Sequence, residues 1–518
     1  MNAYRVKRAK ARTKLRSSRM GKSGRSAGVG LGEILVLLVV ALVVLIAVNS
    51  PSFTHREIRS SELFRMYTPE QLQDDLAFLV DRLETLHPDL YAHVSNEEIH
   101  AEVQRIEGEL VAPMNRIGFY RLVAPLLSRF RDPLTTIAIP YEERNDYLEQ
   151  GALLLPLDLE VTEDQVTVSH NYSSDTLVAA GSNVLSINNT PIEQLRERLV
   201  QYISGTTDPY RYWRLGQHWR ELEWLVYGFE SPFEVVVRRP GIRGGPVARN
   251  LLGVQQAAID EDRKNGLVVE ETQDPWEYSF QRRESTGLVT VNELEDYPNL
   301  DASMDNLLAE LESDGASALV LDLRGTTGSG YHAVQTILSR LSDRLIPVIM
   351  ASEIRSTKTS RLWFARTLPL YERFYPPLFD KGLGKLWKTP IGSMMQLPDE
   401  VTLVPANRRY HGSVFVLVNG RSGPAASLLA GLIQSSKLGT VIGREEATAA
   451  TGINGESFGF DLPNTRLWVK LPLAKQVMSA AMKSVIPDVI VEPTNYELRR
   501  GLDSVLVRAL LMASRSTP

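Results

Sequence analysis

Two serines, Ser422 and Ser427, lie in a segment whose pattern is suited to nucleophilic chemistry. An unbroken apolar run at residues 414–419, typical of a buried strand, is followed by a turn and the start of a helix. A serine hydroxyl becomes a nucleophile only beside a base, and the nearby Lys437 precedes the next strand. We therefore interpret Ser422 as the N-cap of the helix and Ser427 as a residue on the helix surface.

A second turn, at residues 322–330, joins another apolar run to another predicted helix and contains three glycines. Backbone N–H groups at a helix start stabilise negative charge. The amides of Gly325, Gly328 and Gly423 are therefore candidates for binding a carbonyl or carboxylate. The alternative is a phosphate-binding turn, but the Walker lysine is absent.

Both turns belong to a region of alternating strands and helices, which predicts an α/β fold with parallel strands joined by helical crossovers. We place this domain at residues 280–515, interrupted by an aromatic- and proline-rich insert at residues 345–410 that is a candidate lid. Ligands of such sheets bind beyond the carboxyl ends of the strands, where both turns are expected. A Gly-x-Ser-x-Gly match at residues 455–459 precedes strand-like residues, so we interpret it as a chance match.

Residues 68–149 predict a small helical domain, because capping boxes precede leucine- and isoleucine-rich stripes at helical spacing. Its histidines, His87, His93 and His100, match no common metal-ligand spacing, so we predict surface histidines and no metal. The sequence also indicates no cofactor. Residues 150–245 are rich in predicted strands and end at a Gly- and Pro-rich boundary, residues 240–246.

The N-terminus predicts a membrane anchor. Residues 1–29 carry ten Lys and Arg and no acidic residue, residues 30–48 are almost wholly apolar, and residues 49–67 form a linker. We expect a single-pass inner-membrane protein with the N-terminus inside and its bulk periplasmic or extracellular. A cleaved signal peptide is the alternative, but no clear cleavage site follows the apolar run.

The formal net charge is −5 for the whole chain and −15 without the ten basic residues, which argues against nucleic acid as a partner. There is no cysteine, which excludes disulfides, thiol nucleophiles and Cys-ligated zinc.

Several ordered segments resemble the tail-specific (C-terminal-processing) serine peptidase family. Residues 322–330 are similar to its DLRGNPGG turn, which helps to form the oxyanion hole; residues 458–464 to F-x-LPN; and residues 486–494 to its PD-x-x-V-x-PT ending. Residues 181–191 resemble a PDZ segment that the family often carries, which implies a PDZ-like domain at residues 150–245.

The resemblance implies a serine nucleophile at the helix start, a lysine base after the next strand and a histidine in a DGHT motif. These positions fall on Pro424, Ala449 and Leu134, none of which can perform the chemistry of the family. We therefore expect a pseudopeptidase that binds a peptide or protein segment. The alternatives are an active hydrolase with a relocated nucleophile, for which Ser422 is the candidate, and a purely structural assembly factor.

Overall fold

The computed structural model of the protein describes residues 55, 58–59, 62–240, 245–266, 276–295, 297–328, 330–366, 381–444, 454–478, 485–492 and 502–516. The α-helices of these residues are Pro69–Leu86, Asn96–Glu109, Arg116–Ser128, Tyr141–Glu149, Ile192–Leu199, Asp208–Gln217, Trp219–Tyr227, Gln256–Gly266, Leu300–Asp314, Tyr331–Leu341, Lys358–Ala365, Lys381–Lys388, Pro424–Ser435 and Ser504–Ser516, with a 3-10 turn at Val200–Tyr202.

A six-stranded sheet, which we call the parallel sheet, positions the two turns. Its strands in spatial order are Val489–Ile490, Thr440–Gly443, Ser413–Val418, Ala318–Asp322, Thr286–Val291 and Trp276–Gln281, and only the last pairs antiparallel. The predicted parallel α/β pattern is confirmed. Asp322 lies opposite Leu417, so both turns leave the sheet at the same edge.

Both faces of the parallel sheet are covered, which explains why its two central strands, Ser413–Val418 and Ala318–Asp322, are almost wholly apolar. Leu319 and Leu321 face the helices Tyr331–Leu341 and Pro424–Ser435 in one core. The alternate residues Ala318 and Val320 face the C-terminal helix, Ser504–Ser516, in a second core.

A five-stranded antiparallel sheet includes two strands of the predicted insert. Its strands are Thr136–Ile137, Trp468–Met478, Ile346–Arg355 and Met394–Leu403 in that order, with Asn454–Asp461 pairing to Trp468–Met478. The insert thus supplies two strands to a sheet, a role that its composition did not predict. The Gly-x-Ser-x-Gly text lies within the strand Asn454–Asp461 and not at a strand-to-helix elbow.

A six-stranded antiparallel sheet forms the β-rich region. Its strands in order are Leu157–Val161, Val166–Asn171, Asn183–Ile187, Phe233–Arg238 and Val247–Leu251, with the short strand Thr190–Pro191 on Asn183–Ile187. The boundary predicted at residues 240–246 is wrong, because the strands on either side of it pair with each other. Likeness to a PDZ domain remains a prediction.

The first helices begin as the sequence predicts. Thr68 and Gln71 form a capping box at the start of Pro69–Leu86, and Ser95 and Glu98 form another at Asn96–Glu109. The part of the chain that the structure describes contains no helix that is long and apolar enough to cross a membrane. The predicted anchor, residues 30–48, lies outside that part.

Candidate functional site

The glycine-rich turn, residues 322–330, folds against the start of the helix Pro424–Ser435. The N–H of Gly423 donates to the carbonyl of Thr326 at 2.9 Å, and the N–H of Ala425 makes a longer contact of 3.5 Å with the carbonyl of Gly328. Two donors of the helix start are therefore used within the protein. Of the predicted binding amides, that of Gly423 is occupied, whereas those of Gly325 and Gly328 donate to no acceptor among the described residues.

Two glycines of this turn require a left-handed backbone. Gly325 has φ +78° and open space where a Cβ atom would project. Gly328 has φ +100°, and a Cβ atom there would lie 2.3 Å from the carbonyl oxygen of Leu294. The close approach of Leu294 holds the turn against the neighbouring segment, so a side chain at Gly328 is excluded on two grounds.

An arginine within the same turn ties it to the C-terminal helix. Arg324 donates from Nε and Nη2 to the carboxylate of Asp322, and from Nη1 and Nη2 to that of Asp503, at 2.6–2.8 Å. These hydrogen bonds outweigh burial and raise the pKa of Arg324. Asp503 lies just before the helix Ser504–Ser516 and also accepts the N–H of Leu506 at its N-terminus. No local pattern indicated a role for Asp503, because its partner lies 179 residues away.

Pro424 is the first residue of its helix, and Gly423 is the N-cap. Pro424 is only half-buried, so a hydroxyl at this position would be accessible. A proline is well suited to the first helical position, because its missing N–H is not needed there and its φ is already helical. The ring fits the helix start but offers no nucleophile.

The hydroxyls of the two neighbouring serines are both buried and engaged. Ser422 Oγ donates to the carbonyl of Leu323 at 2.8 Å, and Ser427 Oγ donates to the carbonyl of Ser422 at 3.2 Å. Both side chains are 0% exposed. The predicted N-cap role of Ser422 is therefore wrong, since it fastens the two turns together instead. The predicted surface position of Ser427 is also wrong, because this helix is covered on most of its faces.

The residues assigned to base and histidine positions do not supply a proton acceptor. Leu134 is half-buried, and its N–H donates to Asp132 Oδ1 at 3.0 Å. Ala449 lies outside the described residues. Lys437 is exposed beyond the far end of the helix that Pro424 begins. This helix has 12 residues, which corresponds to a length of about 18 Å.

One of the three histidines of the helical region is buried beside Asp132. His87 is 2% exposed, so the predicted surface position is wrong for it, whereas His93 and His100 are exposed. Its Nδ1 accepts the N–H of Asp89 at 3.0 Å, which leaves the ring proton on Nε2 for Asp132 Oδ2 at 3.1 Å. Both nitrogens are thus occupied.

The Asp132 carboxylate is the centre of this buried cluster. Burial works to raise its pKa, but the hydrogen bonds from His87, Thr135 and Leu134 outweigh burial and hold the pKa below its ordinary value. The cluster therefore fixes the turn that carries Leu134. Among the described residues, no group of three or more His, Asp or Glu side chains has the arrangement of a metal site.

Comparison with known proteins identifies the parallel-sheet region. The model of peptidase family S41 matches residues 285–491. Two solved structures of mature CPAF, one of them complexed with lactacystin, align with a TM-score of 0.60 and 13% identity, over 86% of this chain and 98% and 96% of theirs. The photosystem II D1 C-terminal processing protease aligns with a TM-score of 0.41 and 16% identity, over 84% of this chain and 98% of that one.

No curated protein sequence matches the chain. At such identities, the likeness to CPAF shows a shared fold. The mixed α/β fold is therefore similar to that of S41 peptidases, in agreement with the family resemblance of the sequence motifs.

Proposed function

We propose, from the premise that residues 285–491 are a domain of peptidase family S41, that this protein is a catalytically degenerate member that binds peptide or protein segments without cleaving them. Membership of the family implies peptide or protein ligands. The loss of catalysis is our inference from the residues at the helix start.

The observation that carries the proposal is the surroundings of Pro424. The first position of the helix holds an imino acid, and the flanking hydroxyls of Ser422 and Ser427 are buried and donated to backbone carbonyls. A carbonyl oxygen is not a base that can take up a proton at neutral pH. Neither serine is therefore activated in the way that nucleophilic catalysis needs.

The binding part of the proposal rests on the glycine-rich turn. The N–H groups of Gly325 and Gly328 have no acceptor among the described residues, and both lie at the sheet edge where ligands of parallel sheets bind. Backbone donors survive the replacement of catalytic side chains. We expect them to hydrogen-bond to a carbonyl or carboxylate oxygen of a bound segment.

We further propose that the chain is anchored in the inner membrane by residues 30–48, with its bulk periplasmic or extracellular. The support is the basic segment of residues 1–29 followed by an apolar stretch. Fractionation and protease accessibility of the C-terminal region on intact cells and spheroplasts test this placement. Digestion only after the inner membrane is permeabilised contradicts it.

The test of degeneracy uses the full chain in detergent. A fluorophosphonate probe should not label it, and unfolded protein substrates should bind without turnover. The matched variants are Ser422→Ala and Ser427→Ala. Labelling or cleavage that disappears in Ser422→Ala alone establishes the alternative, an active hydrolase with a relocated nucleophile. Absence of both binding and turnover overturns the proposed function and favours a structural assembly factor.

A further inference from the structure

A cavity of about 410 Å³ lies between the helical region, the β-rich region and the five-stranded sheet. Its walls are the helix Arg116–Ser128, the segment that contains Thr136–Ile137, residues 202–222 and the start of the strand Trp468–Met478. None of its lining residues belongs to the two turns at Pro424, so it is a separate feature of the molecule.

One part of this cavity is aromatic and apolar. The rings of Tyr120 and Tyr202 stack with their centres 6.1 Å apart, and Leu127, Ile137 and Leu222 line the cavity with them. Specific small-molecule sites are mostly apolar, have volumes of about 300–1,000 Å³ and contain a few convergent polar groups. The size of this cavity falls in that range, and its lining combines apolar with polar groups.

The cavity is also lined by positive charges without an acidic partner among the described residues, although Arg214 lies over the ring of Trp213, 6.0 Å from its centre. Arg214 and Lys470 both line the cavity, and neither makes an ion pair or side-chain hydrogen bond with another residue in the described ranges. Arg116 is 2% exposed, and its buried Nε has no hydrogen-bond partner. Unpaired buried donors are costly unless a ligand or water satisfies them.

The acidic group of the wall does not neutralise Arg214 and Lys470. Glu142 is held by Arg116 at 3.3 Å and by His55 at 3.1 Å. The remaining ionisable groups of the lining are four tyrosines and a histidine: Tyr120, Tyr141, Tyr202, Tyr210 and His218. Burial, and then the charge of Arg214, lower the pKa of His218, so this wall already disfavours a further cation.

We infer that this cavity binds a small organic carboxylate with an apolar or aromatic body. The carboxylate would pair with Arg214 and Lys470, and the body would pack against Tyr120 and Leu222. A free carboxylic acid and the C-terminus of a short peptide present the same chemistry. The inference does not rest on the proposed function, since the cavity shares no residue with the site at Pro424.

Calorimetric titration of the full chain in detergent tests the inference with three probes. The first is 3-phenylpropionate, the second its neutral amide, and the third a tetrapeptide with a C-terminal phenylalanine carboxylate. We expect saturable binding of at least one carboxylate, weakened about tenfold or more in the amide, because the amide cannot form the charge-assisted pairs. Preference between the two carboxylates distinguishes the free acid from the peptide terminus.

The variants Arg214→Gln and Lys470→Gln should each weaken carboxylate binding about fivefold or more. Both side chains reach solvent, so the variants should fold, and unchanged thermal unfolding verifies this. Lys388→Gln, in a helix that does not line the cavity, is the matched control and should bind normally. Absence of saturable binding of either carboxylate, equal affinity for the amide, or binding unaffected by both variants overturns the inference.

Discussion

Arg324 and Asp503 are joined by two parallel hydrogen bonds, Nη1 to Oδ1 at 2.8 Å and Nη2 to Oδ2 at 2.6 Å. The pair connects the glycine-rich turn to the N-terminus of the C-terminal helix. Because Arg324 also donates to Asp322 through Nε and Nη2, one planar guanidinium holds the end of the strand Ala318–Asp322 and the start of the C-terminal helix together.

Replacement of Arg324 by lysine should lower the free energy of unfolding by about 1–2 kcal/mol, since an ammonium group cannot reproduce two forked contacts. This loss is small for a paired arginine, because the side chain of Asp503 is 39% exposed to solvent. Denaturant unfolding of the variant measures the effect. The control Arg408→Lys, at the exposed pair with Glu312, should lower the free energy of unfolding clearly less. Equal losses in both variants contradict the special role of Arg324.

Acid should weaken the same contact. Burial works to raise the pKa of Asp503, but hydrogen bonds from Arg324 and the helix N-terminus lower it on balance. A carboxyl with a lowered folded-state pKa stabilises the protein above its unfolded pKa, and that contribution is lost as pH falls through the folded value. We expect Asp503→Asn to be less stable than wild type at neutral pH, and the difference to shrink below about pH 4. Unfolding curves between pH 3 and 7 provide the comparison; a constant difference would refute the linkage.

The two left-handed glycines of the turn provide a matched pair. Gly325→Ala faces open space and should cost about 1–2 kcal/mol from its positive φ alone. Gly328→Ala should cost clearly more, because its methyl group would meet the carbonyl oxygen of Leu294 at 2.3 Å. Thermal unfolding of both variants ranks them, and a Gly325 variant that is the less stable of the two would show that backbone crowding does not determine the order.

The local pattern of the sequence was sufficient to predict the parallel sheet and the meeting of its turns. The apolar run at residues 414–419 is buried on both faces, so it carries the signal of a central parallel strand. The role of Ser422 could not be predicted in the same way. Its hydroxyl had a local use as a helix cap, but a carbonyl 99 residues away, that of Leu323, receives it instead. Contacts of this separation leave no pattern in a single sequence.

The strand Ile346–Arg355 shows the same limit on a larger scale. It lies between Met394–Leu403 and Trp468–Met478, and even the nearer of these strands follows it only after the helices Lys358–Ala365 and Lys381–Lys388. The composition of the insert indicated a surface lid, although one of its strands lies inside a sheet and the other, Met394–Leu403, forms the edge of that sheet. A strand in a sheet is defined by its partners more than by its own propensity.

Asp75 should be a main attachment of the first helix to the rest of the protein. Its carboxylate is 0% exposed and accepts from the backbone N–H groups of Asn464 and Thr465 and from the Thr465 hydroxyl at 2.6–2.8 Å. Asp75→Ala leaves these donors without an acceptor, so we expect a loss of about 3 kcal/mol in the free energy of unfolding. The exposed neighbour Asp74→Ala is the control and should change it by less than about 0.5 kcal/mol. Comparable effects of the two substitutions would contradict the assignment.

Glu223 should make the protein less stable as pH rises towards 8. It is 2% exposed, and burial raises its pKa to about 8 despite the hydrogen bond from Trp219 Nε1. A carboxyl with a raised folded-state pKa contributes its full stability below the unfolded pKa, and the contribution is lost as pH rises to the folded value. The Glu223→Gln variant keeps an acceptor for Trp219 Nε1 but has no carboxyl proton that titrates.

Relative to wild type, the Glu223→Gln variant should gain stability between pH 5 and pH 8, by an amount on the order of 3 kcal/mol. Denaturant unfolding at both pH values measures the gain. Glu230→Gln, at an exposed carboxylate in the same region, should show no such change. Identical pH profiles for wild type and Glu223→Gln would mean that Glu223 ionises normally.

Pro424→Ser should return a hydroxyl to the helix start without returning activity. The residue at the lysine position is Ala449, so nothing there can take the proton of the new serine. We expect no fluorophosphonate labelling, and a loss of about 0.4–1 kcal/mol in stability because serine leaves the unfolded chain more freedom than proline. Pro424→Ala is the control, with a similar stability loss and no hydroxyl. The double variant Pro424→Ser, Ala449→Lys should label faster than Pro424→Ser. Labelling of Pro424→Ser at the rate of the double variant would show that another residue supplies the base. The inference that the protein has lost its catalytic base would then be wrong.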